Sequence, residues 1–386
     1  MHESTCILCG GQEFDLIPAA WPHSMTTAGK LVNEPLSKAQ CRTCGLLQRV
    51  QIRHLGHTDF YERHYSFYER PGASIYDKPR YSAMAEWIRQ SLASFDPKSI
   101  LDAGCGRGWM MTAIREIYPN AVIEGVEPSE QESENARNAG FRVITAKVDK
   151  NLDLGKQYDL IYSANVVEHT TDPVDFLRSL GSCIRDDGLI AIICPDSSIP
   201  SAEFMFSDQN YSFTPQQLMQ LAELSGLKVI KWKTSPETSS VNSKQLVLLS
   251  KSDAVISDNE PSDIQPHAPD EIFRERCRYV ESYRQCDQYL VDCITCHKTI
   301  YNFGTSTWSL LLAAYCPKYW GLVTSCVIDG DGGMFQGKPV RDFSKLSLPD
   351  EGIFILGVNP LIQPELSRRL TAKNIPNITW NHLINK

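Results

Sequence analysis

The pattern of apolar and polar positions is most regular over residues 97–250. Short apolar runs typical of buried strands alternate there with segments whose apolar residues recur at helical spacing. The run SILDAG is typical of a strand, and WMMTAIREIY, which follows it, of a helix. Such alternation predicts a mostly parallel sheet covered by helices on both faces. Two further runs, LKVIKWKT and KQLVLLSK, predict a closing pair of strands.

The same alternation returns in shorter form towards the C-terminus. A helix predicted over about residues 271–297 is followed by the strand KTIYNFG and the helix TSTWSLLLAAYC. The runs GLVTSCVIDGD and GIFILGVN predict two more strands, and PELSRRLTAKN predicts a helix. This pattern predicts a second, smaller Rossmann-like α/β unit.

Local composition indicates the boundaries between these parts. The first part holds two cysteine pairs between short strand-like runs, and the next is rich in aromatic and charged residues. A later stretch combines six acidic residues and three prolines with few large apolar side chains, as linkers do. We therefore expect a metal-binding segment, a connecting helical and substrate-facing segment, a central α/β domain, an acidic linker and a C-terminal α/β domain, over residues 1–55, 56–95, 96–250, 251–271 and 272–386.

The net charge and the first residues of the chain mainly argue against certain classes of function. The 386 residues carry a net charge of −8 at pH 7, whereas nucleic-acid binders usually present a basic face to the phosphates. No apolar run approaches the ~20 residues that span a bilayer. The first residues also lack the basic and apolar regions of a secretory signal. We therefore expect a cytoplasmic protein with a small-molecule partner and no membrane partner.

Two cysteine pairs predict a metal site near the N-terminus. Cys6 and Cys9 form one CxxC pair, and Cys41 and Cys44 form a second after 31 intervening residues. Together they can supply four thiolates to one tetrahedral Zn²⁺, and a site filled by four protein ligands is structural. A redox function is the alternative, but it would leave one pair without a function. Such a metal would stabilise a segment too small to bury a sufficient core.

A glycine-rich turn follows the first strand of the central region. Gly104, Gly106 and Gly108 allow a tight turn and close approach of a ligand to the backbone. Asp102, two residues earlier, suits a ligand ammonium group, and Glu127, at the end of the next strand, suits two ribose hydroxyls. A carboxylate at position 102 would be unfavourable beside a pyrophosphate. The residues therefore match a nucleoside with a cationic tail better than a dinucleotide.

With these motifs, about residues 97–250 resemble the class I S-adenosylmethionine-dependent methyltransferases. LDAGCGRG resembles the first motif of that family, GVE the second, and YDLI through NVVEH the motif of the fourth strand. The later stretch DDGL is a weaker match, with one glycine where the family often has two. The resemblance implies S-adenosylmethionine as cofactor, bound by Asp102, Gly104, Cys105, Gly106, Glu127 and Asn165. Asn165 fits equally well a role in its own turn.

The order of the three parts resembles a narrower family, the zinc-containing C-methyltransferases of nucleotide-linked sugars. In that family a four-cysteine zinc segment precedes the cofactor domain. Its C-terminal unit carries a glycine turn, an apolar strand ending in aspartate, and a Gly-x-Pro-Val element. NFGTST, VID and GKPV match these in this chain. The resemblance implies methyl transfer to a nucleotide-linked sugar.

The first candidate catalytic residues lie just before the central domain. The sugar methyltransferases are expected to place substrate-facing tyrosines there, and YERHYSFYER offers His64, Tyr65 and Tyr68. Arg63 or Arg70 could contact a phosphate. An ordinary packing segment is the alternative.

A second set of catalytic candidates follows from a departure from that family. Its members usually carry a base in a His-Glu-His-like element, but the matching stretch FSDQNYSFTP has no histidine. Either Asp208, Tyr211 or a distant group replaces that base, or the reaction is an O- or N-methylation.

Two other functions remain compatible with the sequence. A zinc-containing rRNA or tRNA methyltransferase would share the cysteine pairs and the cofactor domain, but residues 1–55 show no basic cluster. A non-catalytic scaffold that binds the cofactor would lack a base, although Asp102 and Glu127 favour a working site. The sequence therefore favours a methyltransferase acting on a small polar acceptor.

Overall fold

The computed structural model describes residues 5–50, 73–235, 244–252, 267–330, 332–346 and 352–384. Within these ranges, none of the helices combines the length and the apolar character needed to cross a bilayer.

The N-terminal part is built from short strands, namely β1 (Phe14–Leu16), β2 (Ser24–Met25), β3 (Leu31–Val32), β4 (Lys38–Cys41) and β5 (Leu47–Arg49). Strand β4 pairs antiparallel with β1 and β5, while β2 and β3 form a separate hairpin. Gly10 and Gly45 follow the two cysteine pairs with φ of 71° and 73°. Glycine reaches such φ values without strain, so the chain turns sharply beside the thiols.

The central part alternates strands and helices, as the sequence predicts. In chain order its elements are α1 (Ala73–Leu92), β6 (Ser99–Ala103), α2 (Trp109–Ile117), β7 (Val122–Glu127), α3 (Glu130–Asn138), β8 (Arg142–Thr145), β9 (Tyr158–Ala164), α4 (Pro173–Cys183), β10 (Ile184–Pro195), β11 (Tyr211–Ser212), α5 (Pro215–Leu224), β12 (Lys228–Thr234) and β13 (Lys244–Ser250). The main sheet has the order β12-β13-β10-β9-β6-β7-β8. Its strands from β10 to β8 are parallel, and the predicted closing pair β12 and β13 is antiparallel. The central part thus has an α/β, Rossmann-like fold.

Helices α4 and α5 begin at side-chain caps that the sequence supplies. Asp172 accepts a hydrogen bond from the backbone N–H of Asp175 before α4, and a proline occupies the first turn. Thr214 and Gln217 form a reciprocal capping box before α5. Each cap satisfies N–H groups that have no partner within the helix, which fixes where the helix begins.

Strand β11 joins the N-terminal part to the central part. It pairs antiparallel with β5 and completes a four-stranded sheet of order β1-β4-β5-β11. Helix α5 adds two side-chain contacts, because Gln217 Nε2 donates to the Cys44 carbonyl at 2.7 Å and Gln220 Nε2 to the Leu8 carbonyl at 3.2 Å. The cysteine-bearing segment is therefore held against the central part by both backbone and side-chain hydrogen bonds.

The C-terminal part contains a second α/β sheet. Its elements are α6 (Pro269–Ile294), β14 (Thr299–Phe303), α7 (Thr307–Tyr315), α8 (Pro317–Leu322), β15 (Ser325–Ile328), β16 (Gly333–Phe335), β17 (Lys338–Asp342), β18 (Gly352–Leu356), α9 (Gln363–Thr371), β19 (Asn377–Ile378) and α10 (Asn381–Ile384). The strand order is β16-β17-β15-β14-β18-β19, with only β16 antiparallel to its neighbour. The strand predicted from GLVTSCVIDGD begins only at Ser325, because its first residues end helix α8.

One apolar core contains buried side chains from all three parts. They include Ile17, Met25, Leu36, Phe204, Phe206, Tyr283 and Tyr315. The hairpin of β2 and β3 lies at this junction, where the Tyr315 hydroxyl donates to the Met205 carbonyl at 2.6 Å. This packing brings side chains from distant parts of the sequence to the edge of the main sheet.

Candidate active site

A cavity of about 350 Å³ opens at the carboxyl ends of β6, β7 and β9. In α/β sheets the ligand usually binds at this edge, because the loops that follow the parallel strands meet there. Loop residues directly after the three strands line one end of the cavity. The cavity is also lined by α1, by Glu203 and Lys244, and by Thr27 and Thr307 from the N- and C-terminal parts.

Two buried carboxylates define the first end, which we call the cofactor end. Asp102 on β6 is 3% exposed, and Glu127 at the end of β7 is 5% exposed. The Glu127 oxygens accept hydrogen bonds from the backbone N–H groups of Gly106 and Ser129, each at 2.9 Å. Burial raises the pKa of Asp102 to about 8 and that of Glu127 to about 7. A cationic ligand would favour the ionised form of both groups.

The glycine turn lies between these carboxylates. Gly104 has a φ of 85°, and a Cβ atom at this position would lie 2.5 Å from Val166 Cγ2. Gly106 has a φ of 50°, Cys105 lines the cavity beside it, and the Gly106 N–H orients Glu127. The turn therefore needs glycine both for its backbone conformation and for its close packing against the loop after β9.

Asn165 begins the loop after β9, where it both forms part of the turn and lines the cavity. Its φ is 57°, a left-handed conformation that asparagine tolerates better than most residues. Its side-chain Oδ1 is buried without a hydrogen-bond partner in the described structure. Because an unpaired buried oxygen is costly, this atom is suited to accept a hydrogen bond from a ligand.

A second group of lining residues is polar, and we call it the acceptor end: Glu168, His169, Glu203, Lys244, Arg80, Thr27 and Thr307. Glu168 and His169 reach it from a short 3₁₀ turn after β9. Glu168 is 2% exposed, burial raises its pKa, and its Oε2 has no hydrogen-bond partner among the described residues. Lys244 Nζ lies 3.2 Å from Glu203 Oε1 beside them, and Arg80 of α1 also lines this end. Such a lining matches a polar acceptor molecule.

The orientation of His169 is fixed by the backbone of residue 208. His169 Nδ1 lies 2.8 Å from the Asp208 carbonyl oxygen. A carbonyl oxygen can only accept, so Nδ1 carries the proton and Nε2 holds the lone pair in the neutral ring. The ring is thereby held in the tautomer in which Nε2 is the basic atom.

Of the catalytic candidates from the sequence, the structure describes Asp208 and Tyr211. His64, Tyr65 and Tyr68 fall outside the described residues. Asp208 is fully buried and, like Tyr211, does not line the cavity as the described residues form it. The Tyr211 hydroxyl donates to the Thr171 carbonyl at 3.1 Å. The structure therefore brings the cofactor candidates together and places Asp208 and Tyr211 behind the cavity wall.

Several residues at the acceptor end carried no functional signal in the sequence. Thr27, Arg80 and Lys244 come from separate elements and belong to no motif, while Thr307 ends the motif NFGTST, which gave it no function of its own. His169 belongs to the motif NVVEH, which the family resemblance matched without giving this residue a function of its own. Only the packing of the three parts shows that these side chains share one cavity.

The four cysteines of the N-terminal part converge as predicted. The sulfur atoms of Cys6, Cys9, Cys41 and Cys44 all lie within 4.8 Å of one another. The Cys6–Cys44 and Cys9–Cys41 sulfur pairs are 3.5 and 3.6 Å apart. Sulfur atoms ~2.3 Å from a tetrahedral zinc would be about 3.8 Å apart. The arrangement fits a metal ion of this kind.

Comparison with known sequences agrees with the geometry of the cofactor end. A family profile described as "Methyltransferase domain" matches residues 76–232. The chain is 28% identical over 132 residues to a ubiquinone biosynthesis O-methyltransferase of Rhizobium leguminosarum bv. trifolii, covering 30% of this chain and 51% of that protein. It therefore spans about half the length of that relative. It is 26% identical over 191 residues to a malonyl-[acyl-carrier protein] O-methyltransferase of Halalkalibacterium halodurans, covering 45% of this chain and 68% of that protein.

Distant similarity extends to solved structures. A mitomycin 7-O-methyltransferase is 16% identical with a TM-score of 0.39, covering 47% of this chain and 55% of that chain. A Burkholderia thailandensis 1,6-didemethyltoxoflavin-N1-methyltransferase is 18% identical with a TM-score of 0.37, covering 46% and 81%.

The family match and the geometry concern the same part of the chain. The matched region contains the glycine turn, both buried carboxylates and the parallel strands whose ends form the cavity. Residues 76–232 therefore form a class I S-adenosylmethionine-dependent methyltransferase domain.

Proposed function

We propose that the whole protein is an S-adenosylmethionine-dependent methyltransferase that acts on a small polar molecule. The main support is the pair of buried carboxylates, Asp102 and Glu127, at the ends of neighbouring parallel strands beside a glycine turn. A polar cavity extends from this pair to residues of the N- and C-terminal parts. A single cavity of this size suits a cofactor together with a small acceptor.

The residues of the cofactor end each bind a different part of S-adenosylmethionine. Asp102 pairs with the ammonium group, and Glu127 accepts hydrogen bonds from the ribose hydroxyls. Gly104, Cys105 and Gly106 let the ligand approach the backbone. The unpaired Oδ1 of Asn165 accepts a further hydrogen bond. Because both carboxylates are buried, their interaction with the cationic ligand is screened little by solvent.

His169 is our candidate for the general base. When bound, S-adenosylmethionine supplies a methyl group on a sulfonium sulfur. As the acceptor atom bonds to the methyl carbon, the carbon–sulfur bond breaks and its electron pair stays on sulfur. Nε2 of His169 takes the proton that the acceptor loses. The protein's main contribution is to hold acceptor, methyl carbon and sulfur in line and to exclude water.

We favour a nucleotide-linked sugar as the acceptor, because the order of the three parts resembles that of the zinc-containing C-methyltransferases of such sugars. The polar lining at the acceptor end supports an acceptor rich in hydrogen-bonding groups, because Glu168 offers an unpaired oxygen and Lys244 and Arg80 offer donors. Transfer to carbon follows from the resemblance. Transfer to oxygen or nitrogen is the alternative, since the histidine element of that family is absent and His169 suffices to deprotonate a hydroxyl or amine.

We further propose that Cys6, Cys9, Cys41 and Cys44 hold a structural Zn²⁺. Their sulfur atoms surround a common point at distances that suit tetrahedral coordination. The cluster lies beside β4 and contacts α5 rather than the cavity. The metal would therefore stabilise the N-terminal sheet and take no part in methyl transfer.

Calorimetry with S-adenosylhomocysteine, followed by turnover assays against a panel of nucleotide sugars with mass spectrometry of the products, tests this function. We expect micromolar or tighter binding that Asp102→Asn and Glu127→Gln each weaken, and a product heavier by one methyl group. His169→Gln should reduce turnover and leave binding of S-adenosylhomocysteine unchanged.

Two outcomes would contradict parts of the proposal. If S-adenosylhomocysteine did not bind, the proposal that the protein is a methyltransferase would be wrong. Binding without turnover of any small acceptor, together with tight salt-dependent binding of RNA, would favour an RNA methyltransferase instead.

A further inference from the structure

We infer that Asp208 is a positioning residue that fixes His169 through the hairpin of residues 24–32. The inference rests on the proposed function, in which His169 is the base. It assigns to Asp208 a role different from the base role that the sequence suggested. Three sets of contacts support it.

The first contact joins Asp208 to the hairpin. Both carboxylate oxygens accept hydrogen bonds from Thr27: Oδ1 from the backbone N–H at 2.8 Å, and Oδ2 from the hydroxyl. The side chain of Asp208 is fully buried. Two hydrogen bonds from one residue hold the carboxylate in a single orientation, so this pair fixes the backbone of residue 208.

The second set of contacts joins this backbone to His169. The Asp208 carbonyl accepts from His169 Nδ1 at 2.8 Å. Asn210, two residues later, donates from Nδ2 to the carbonyls of His169 and Thr170 at 2.8 and 3.1 Å. The loop therefore holds His169 by both its ring and its backbone. A shift of residue 208 would rotate the ring or change its tautomer.

The third set fixes the hairpin itself. The backbone N–H of Ser207 donates to the Met25 carbonyl at 2.8 Å, and the backbone N–H of Met25 donates to the Tyr315 hydroxyl at 3.4 Å. His23 Nε2 lies 2.7 Å from the Ala314 carbonyl on the same helix. The hairpin is thus held by helix α7 of the C-terminal part on one side and by the loop after β10 on the other.

Asp208 itself is poorly placed to be the base. Both its oxygens are engaged by Thr27, and the side chain does not line the cavity formed by the described residues. A base must come within about 3 Å of the proton it removes, or reach it through one water. The carboxylate therefore acts through the backbone it holds.

Asp208→Asn and Asp208→Ala distinguish the two roles. Asparagine can still accept from the Thr27 N–H, and the Thr27 hydroxyl can reverse to accept from its amide, so we expect kcat to stay within about threefold of wild type. Alanine removes both contacts, and we expect kcat to fall about 10- to 100-fold, since a misplacement of about 1 Å can cost that much. The dissociation constant of S-adenosylhomocysteine should remain unchanged in both variants.

Asp208→Asn removes the negative charge and keeps the shape of the side chain, so its stability is measured alongside its activity. Melting temperatures of both variants give the control. If Asp208→Ala does not fold, Asp208→Ser replaces it, because the shorter serine side chain cannot accept both hydrogen bonds from Thr27.

Nitrogen NMR of protein labelled at histidine separates this inference from the proposed function, because it needs no turnover. The His169 signals, assigned by their loss in His169→Gln, should show the Nδ1–H tautomer in wild type and Asp208→Asn, and a mixture in Asp208→Ala. An unchanged tautomer in Asp208→Ala would overturn the inference. So would an Asp208→Asn variant as inactive as Asp208→Ala, which would identify Asp208 as the base. Failure of wild type to turn over any acceptor would overturn the proposed function alone.

Discussion

Asp102 and Glu127 lie where burial opposes their negative charge. In the ligand-free protein burial raises the pKa of Asp102 to about 8 and that of Glu127 to about 7. A bound ammonium group favours the ionised carboxylate, so binding below these values must release protons. The site therefore gains affinity for its cation as the pH rises.

This linkage gives a prediction for cofactor binding. Between pH 6 and pH 8, affinity for S-adenosylmethionine should rise, because fewer protons have to be displaced from Asp102 and Glu127 as the pH approaches their pKa values. Calorimetry at pH 7 in buffers of different ionisation enthalpy should show net proton release, and Asp102→Asn should reduce it. That variant should also bind about 10- to 100-fold more weakly, the loss of one charge-assisted contact. Affinity that is constant over this range would contradict the raised pKa values.

At the scale of residues, the sequence indicated that Asp102, Glu127 and the glycines lie together, but it did not indicate which side chains form the acceptor end. Asp102, Glu127 and the glycines stand at fixed positions relative to strands with clear apolar patterns. Asp208 was assigned from a family comparison, but its hydrogen bonds join positions 181 residues apart. A local sequence pattern cannot indicate a contact between residues so far apart in the chain. The surroundings of Asp208 are therefore seen only in the folded structure.

At the scale of elements, the strength of the periodic signal decided what could be predicted. The parallel strands over residues 97–250 are four to twelve residues long, and the sequence indicated each of them, although β10 begins four residues before the predicted run GLIAIICP. Strand β11 has only two residues, too few to show alternation. Its pairing with β5, which makes one sheet from two parts of the chain, was therefore absent from the prediction.

That shared sheet makes the cysteine cluster a determinant of stability. Removing the metal with a chelator, or replacing Cys41 by serine, should destabilise the N-terminal sheet, because each such element buries too little surface alone. We expect one equivalent of zinc per chain by elemental analysis and a lower melting temperature after its removal. Cys277→Ser, at a half-buried cysteine outside the cluster, is the matched control and should keep the metal. Metal-free protein that melts at the same temperature would contradict a structural metal.

At the scale of the whole molecule, all three parts meet at one tyrosine. The Tyr315 hydroxyl on α7 donates to the Met205 carbonyl and accepts from the Met25 N–H. Tyr319 is a matched residue, since it is also fully buried but its hydroxyl donates to Asn302 within the C-terminal part, at 3.0 Å. The two hydroxyls therefore distinguish contacts between parts from contacts within one part.

Replacing each tyrosine by phenylalanine tests this arrangement. Both variants should lose about 1–2 kcal/mol of unfolding free energy, as expected when a buried hydrogen bond is removed. Only Tyr315→Phe should also raise the KM for the acceptor, because it loosens the hairpin that carries Thr27 at the acceptor end. Urea denaturation and steady-state kinetics provide the two measurements. An equal effect of both variants on KM would show that the hydroxyl at position 315 has no special connection with the cavity.

The pairing of β11 with β5 has a consequence for the order of events during synthesis. Strand β5 leaves the ribosome well before its partner. Its edge stays unpaired until Tyr211 and Ser212 of β11 emerge, more than 150 residues later. Domains generally fold as they emerge, starting from the N-terminus. Here the sheet of the opening segment stays incomplete until the middle of the chain has been translated. If its cysteines hold zinc as we propose, the supply of zinc in the cell would act on the nascent protein before any cofactor site exists.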